Sequence, residues 1–207
     1  MTETITLKAR PTDYKKCFPN ACFSPPDGLR SSEPGDIVQA VSMMDGMCFA
    51  SKAVWGLVPP AHSTHCITYA DGATVSRMHT TSSAFRNWRC LVPASLFTYV
   101  REVDGVTMRY KLSRRDGEVM LLAGIMEPNP PRFGGQEATV ALIRTPSNRL
   151  LGPHGLYAPL VLEQKQVEPW LRPGTSVTEV KGFIQPPADH ALKLTINLEP
   201  VAEPALT

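Results

Sequence analysis

Apolar positions along the chain gather in short runs broken by proline and glycine, and most of these runs read as strands. DIVQAVS (36–42), MCFASKAVWGLVP (47–59), RCLVPASLFTYVRE (89–102), MRYKLSRR (108–115), VMLLAGIME (119–127) and ATVALIRT (138–145) are alternating, β-branched or continuously apolar. Asp45-Gly46, Asp104-Gly105 and Asp116-Gly117 stand between such runs and signal hairpins. Within FRNWRCLVPASLFTYV (85–100), Pro93 interrupts the apolar run. It predicts a bend or an edge between two short strands, a geometry that frames a pocket. Helical patterns are fewer: TTSSAFRNW (80–88), with N-cap residues from Thr80 to Ser83, LEQKQVEPWL (162–171) and PSNRLLG (146–152). LKLTINLEPVAEP reads as a last strand with a frayed end, and the first 30 residues carry little pattern beyond YKKCFPNACF. No repeat or linker divides the chain. The expectation is one domain over residues 1–207, α+β and mainly antiparallel β, a bent sheet or barrel with a few peripheral helices.

Composition narrows the class without naming a function. At 207 residues the chain is long enough to bury a sizeable core. Hydrophobic residues at 43% and charged residues at 19% are those of an ordinary globular protein. The net charge of +2 excludes a globally basic nucleic-acid binder, so any basic surface has to be local. The 20 prolines punctuate short strands rather than forming a low-complexity tract. No stretch approaches the ~18 apolar residues of a membrane span, and MTETITLKAR has no apolar leader region. A cytoplasmic location with no membrane partner is expected. The five cysteines, Cys17, Cys22, Cys48, Cys66 and Cys90, contain no C-x-x-C and read as free thiols.

Candidate chemistry is sparse. His154, in LLGPHGLYAPLVL, sits on a glycine-proline turn before an apolar run. It reads either as a general acid or base or as a turn residue with a structural role. His62, His65 and Cys66 resemble metal ligands, but no further ligand is evident, so no metal is expected. Arg77, Arg86 and Arg89, with Trp88 among them, form a basic-aromatic cluster suited to phosphates and bases. A solvated helix face with Trp88 turned inward explains the same pattern. No glycine-rich phosphate loop and no G-x-S-x-G elbow is present, and no cofactor is expected.

Five segments in order carry a resemblance. AVWGLVP (53–59), SRMHTTSSAFRNWRCLVPASLF (76–97), RYKLSRRDGEVMLLAGIME (109–127), ALIRTPSNRLLGPHGLYAPLVL (141–162) and VEPWL (167–171) are similar to the SRAP family, the SOS-response-associated peptidase domains. The resemblance covers residues 34–171 and implies an SRAP-like β-rich fold that recognises abasic sites in single-stranded DNA. It also implies a chemistry: an N-terminal cysteine whose amine and thiol close on the aldehyde of an abasic sugar. This sequence departs from the family at several positions. It begins Met-Thr-Glu-Thr, with Cys17 as its first cysteine. The family's Asn-Ala-Arg-x-Glu-Thr falls on Val75 to Thr80, which keeps Arg77 for phosphate, replaces the asparagine by Val75 and sets His79 in place of the glutamate. Tyr99 stands where the family has its catalytic glutamate, and with a pKa near ~10 a phenol is a poor base at neutral pH. Ala61 replaces the tryptophan wedge, while His154 is kept with its spacing to Pro159 lengthened by one residue.

Three readings follow. The first is a divergent SRAP-fold protein that has lost covalent chemistry and keeps single-stranded DNA binding, with or without abasic sites, through Arg77, Arg86, Trp88 and Arg89. The second is an abasic-site-processing or peptidase enzyme with a rearranged site of Cys22, His79 and His154, Tyr99 standing at the glutamate position. The third is a non-catalytic protein-interaction module.

Overall fold

The fold is that of a computed structural model, which describes residues 2–8, 11–21, 30–59, 66–128 and 138–200. Thirteen strands and four short helices follow one another along these residues. The strands are β1 (Thr2–Leu7), β2 (Arg30–Ser32), β3 (Ile37–Met44), β4 (Met47–Trp55), β5 (Tyr69–Asp71), β6 (Arg89–Ala94), β7 (Leu96–Val103), β8 (Val106–Arg114), β9 (Met120–Glu127), β10 (Ala138–Thr145), β11 (Ala158–Pro159), β12 (Val161–Leu162) and β13 (Leu192–Pro200). The helices are α1 (Pro11–Cys17), α2 (Ser82–Asn87), α3 (Gln164–Leu171) and α4 (Val177–Gly182). The architecture is α+β and dominated by strands, as the pattern of short apolar runs predicts.

Five strands in the order β13-β8-β7-β1-β2 form an open antiparallel sheet. The second sheet runs β10-β4-β3-β6-β9 and closes, because β9 pairs again with β10. It is not wholly antiparallel: β10 lies parallel to β4 at Ala138–Val140 and to β5 at Leu142–Arg144. Its strands β6, β9 and β10 are buried on both faces, which is why they read as continuous apolar runs rather than alternating ones. Leu91, Ala123, Ile125, Ala141 and Ile143 pack towards the helices, with Phe85 and Trp170. Val92, Leu122, Val140 and Leu142 share the other core layer with Ile5, Phe97, Tyr99 and Leu112 of the open sheet.

Two of the predicted hairpins form with the expected chemistry. Asp45 and Gly46 join β3 to β4 with φ of 50° and 77°, and Asp104 and Gly105 join β7 to β8 with φ of 51° and 73°. Positive φ at both central residues matches the right-handed strand twist and favours Asp-Gly. Asp116-Gly117 is different: it follows β8 in the open sheet and leads to β9 in the closed one, so it is a crossover, not a hairpin. Pro93 does not itself divide the run: it lies within β6, opposite Leu121 of β9, and the break comes two residues later. After β6, Ser95 breaks the ladder and the chain passes to the open sheet, the Ser95 hydroxyl bridging the backbone N and O of Lys8.

Helix α2 forms within the predicted 80–88 segment, but its N-cap Thr81 donates its hydroxyl to Val75 O at 2.8 Å instead of capping the helix. Helix α3 is closed by a capping box between Glu163 and Gln166. Residues 146–151 are not helical. Asn148 there accepts from the backbone N of Leu150 and Leu151, and only a 3-10 turn at Gly152–His154 follows.

Candidate functional site

The mouth between the two sheets is where polar groups converge. Across the open sheet, Ile5, Phe97 and Leu112 align as one apolar row, and the next row is Glu3, Tyr99 and Tyr110. Two residues further along β7 is Arg101, on the same face because side chains alternate with period two. From the closed sheet, β4 turns away at Gly56, whose N donates to Val140 O, and β5 takes its place beside β10. That exchange sets Tyr69 opposite Leu142 and Asp71 opposite Arg144. Gly56 has a φ of 154°, and a Cβ there would meet Cys66 Sγ at 2.3 Å, so glycine is required at this exit.

Aromatic rings support the cluster from below. Trp55 is fully buried, donates Nε1 to Thr68 O at 3.1 Å and meets Tyr69 edge-on at 5.8 Å. Phe97 contacts Tyr99 edge-on at 4.9 Å. The Tyr99 hydroxyl donates to Tyr157 O at 2.6 Å, and Arg101 donates to His154 O at 2.7 Å and Gly155 O at 3.0 Å. These bonds pin the turn that carries His154 and Tyr157. The His154 ring lies 5.0 Å from that of Tyr110, and the exposed Tyr157 ring is covered by the Arg144 guanidinium, 4.5 Å from its centroid.

Burial sets the electrostatics. Desolvation raises the pKa of the Glu3 carboxyl, opposed by the charges of Arg144 and Arg101. Burial also raises the Tyr69 and Tyr99 phenols, and the nearby Glu3 adds to both shifts, so both stay protonated donors at neutral pH. Among the described residues, Tyr69 Oη and Arg144 Nε are buried side-chain atoms with no hydrogen-bond partner. Arg144 Nε is 3.9 Å from Asp71 Oδ2, an ion-pair distance but too long for a hydrogen bond. No group of three or more metal-ligating side chains occurs among the described residues.

The residues singled out in the sequence are divided by the fold. Tyr99 and His154 belong to this mouth. Arg77, Arg86 and Trp88 are exposed on the turns and helix that continue from Asp71, with Arg77 Nη2 donating to Ala73 O. Arg89 parts from them. It is 5% exposed and donates to the carbonyls of Phe85, Arg86, Trp170 and Arg172, where it locks the C-terminal ends of α2 and α3 to β6. His79 lines a separate cavity of about 200 Å³ with Leu57, Thr80, Ser83 and Glu127. Cys22, His62 and His65 lie outside the described residues. Cys17 and Cys48 are packed in the helix-side core, and Cys90 is enclosed, its thiol pKa raised by burial. Cys66 lies level with Val140, four residues and roughly 13 Å along β10 from Arg144.

Glu3, Tyr69, Asp71, Arg101 and Arg144 were not evident as site residues in the sequence. Glu3 does share the parity of the buried Ile5 and Leu7, the one signal that points it inward.

Residues 30–202 match the family described as SOS response associated peptidase, SRAP. The chain belongs to the SRAP family. Solved structures agree on the fold. A Bacteroides thetaiotaomicron protein is 19% identical with a TM-score of 0.71, covering 80% of this chain and 76% of its own. A Bordetella bronchiseptica protein is 16% identical with a TM-score of 0.77, covering 95% and 99%. A phage-related protein of the same organism is 20% identical with a TM-score of 0.75, covering 94% and 93%. No curated protein matches the chain. Within this SRAP fold, Arg89 and Trp170, both in segments that carry the family resemblance, are joined structurally, with Trp170 Nε1 also donating to Cys90 O. No helix among the described residues is long and apolar enough to cross a membrane.

Proposed function

We propose that this SRAP protein binds single-stranded nucleic acid reversibly, without forming a bond to the strand. The observation that carries this reading is the make-up of the mouth: Arg101, Arg144, an exposed Tyr157 under a guanidinium, and His154, with no described thiol among them. Guanidinium groups position phosphates, and exposed rings stack on bases. Arg77, Arg86 and Trp88 extend a cationic and aromatic surface along the chain from Asp71. Tyr99, a protonated phenol already bonded to Tyr157 O, serves as a structural donor rather than a base.

The test pairs two gels with two strands, one carrying a single abasic site and one intact. A native gel is expected to show both strands retarded. A footprint of about three phosphates predicts a roughly 20-fold loss of affinity between about 50 and 200 mM salt. A denaturing gel is expected to show free strand only. A heat-resistant band that requires the lesion overturns the reading in favour of an enzyme. Absence of any retardation at the lower salt overturns it in favour of an interaction module.

A further inference from the structure

We propose that the mouth between the sheets is a pocket for an unpaired nucleobase and that its hydrogen-bonding set selects guanine; this rests on the single-strand-binding reading above. Tyr69 Oη and Arg144 Nε are two buried donors without acceptors, on adjacent strands and on the same face. Folded proteins rarely leave such groups unpaired, so two of them side by side call for an acceptor. Across from them, the half-buried Glu3 offers a carboxylate from the other sheet. The ligand that fits therefore has an acceptor facing two donors and two adjacent donors facing a carboxylate.

Guanine has that edge. Its O6 carries two lone pairs for Tyr69 Oη and Arg144 Nε, and its N1–H and N2–H groups meet the two oxygens of Glu3. The Watson–Crick edges of adenine, cytosine and thymine present only one donor group each, an amino or an imino group, and cannot engage a carboxylate through two adjacent ring-edge donors. Stacking is provided for as well. One face of the exposed Tyr157 ring is occupied by the Arg144 guanidinium, whose other close contact is the 3.9 Å approach to Asp71. The exposed Tyr157 ring offers the base a stacking surface beside the guanidinium, so Arg144 Nε keeps its place. The remaining walls hold still, since Tyr99 and Arg101 tie down the backbone of Tyr157, His154 and Gly155.

Fluorescence anisotropy at low salt tests the pocket with oligothymidine carrying one central guanine, adenine, cytosine or tetrahydrofuran residue. The guanine strand is expected to bind about 10-fold more tightly than the others, the discrimination typical of a bidentate contact. Glu3→Gln is expected to abolish that advantage, so that guanine and tetrahydrofuran strands bind the variant alike. Tyr157 is exposed, so its variants fold: Tyr157→Phe keeps the guanine advantage and Tyr157→Ala loses it. Equal binding of guanine and tetrahydrofuran strands, or a guanine advantage that survives Glu3→Gln, overturns the pocket while leaving strand binding in place. Failure to bind any strand refutes the underlying function instead.

Discussion

Arg89 and Arg144 both end or begin apolar strand runs, yet their surroundings give them opposite roles. Four carbonyls surround the Arg89 guanidinium, and burial lowers its pKa without removing its charge. Arg89→Leu removes the guanidinium donor from the Phe85, Arg86 and Trp170 carbonyls, while Arg172 O keeps the Thr175 N–H, and is expected to cost about 3 kcal/mol of stability in urea titration. Arg144 instead keeps a buried Nε unpaired and a partly exposed guanidinium. Glu3 adds a pH signature. Its folded pKa lies above the ordinary 4.5, so the native state holds the proton more tightly than the unfolded chain. The contribution is complete below pH 4.5 and is lost as pH rises through the folded value. Glu3→Gln is expected to flatten the fall in stability just above pH 4.5, measured as urea midpoints at a series of pH values.

At the scale of elements, glycine separates two kinds of constraint. Gly46 has a φ of 77° with open space around it, so Gly46→Ala is expected to cost about 1 kcal/mol from backbone conformation alone. Gly124 is the contrary case. A Cβ there would meet Ala141 O at 2.9 Å and Cys90 Sγ at 3.1 Å, inside the closed sheet. Gly124→Ala is expected to cost about 2 to 3 kcal/mol by overpacking, and parallel urea titrations rank the two variants. The Asp-Gly pairs show why local signals mislead at this scale. Their turn chemistry was legible at all three sites, but Asp116-Gly117 joins strands that pair with different partners, and pairing is a long-range property. The short helices α1 and α4, at seven and six residues, offered too few turns for a periodic pattern.

For the whole molecule, the mouth exists only because two sheets meet. β1 brings Glu3 beside Tyr99 in one sheet, and β5 brings Tyr69 and Asp71 beside β10 in the other. On the proposed reading, the exposed Arg77, Arg86 and Trp88 contribute charge and a stacking ring rather than hydrogen bonds to base edges. Arg86→Ala is therefore expected to weaken every strand alike and to reduce the slope of log affinity against log salt by about 0.7, read from anisotropy titrations across salt. A change confined to guanine strands would assign Arg86 to the pocket instead.

Strand content, the Asp45 and Asp104 hairpins and the SRAP resemblance were determined by the sequence itself, because each depends on neighbours close along the chain. Tyr99 and His154 were visible through that resemblance. The closure of the β10-β4-β3-β6-β9 sheet, the burial of Arg89 and the gathering of Glu3, Tyr69 and Arg144 were decided only by tertiary structure. The physical reason is parity. In strands buried on both faces, such as β10, apolar residues occupy positions of both parities, so alternation does not tell which side Arg144 takes. That side is set by which strands pair and how the two sheets pack, contacts between residues far apart along the chain.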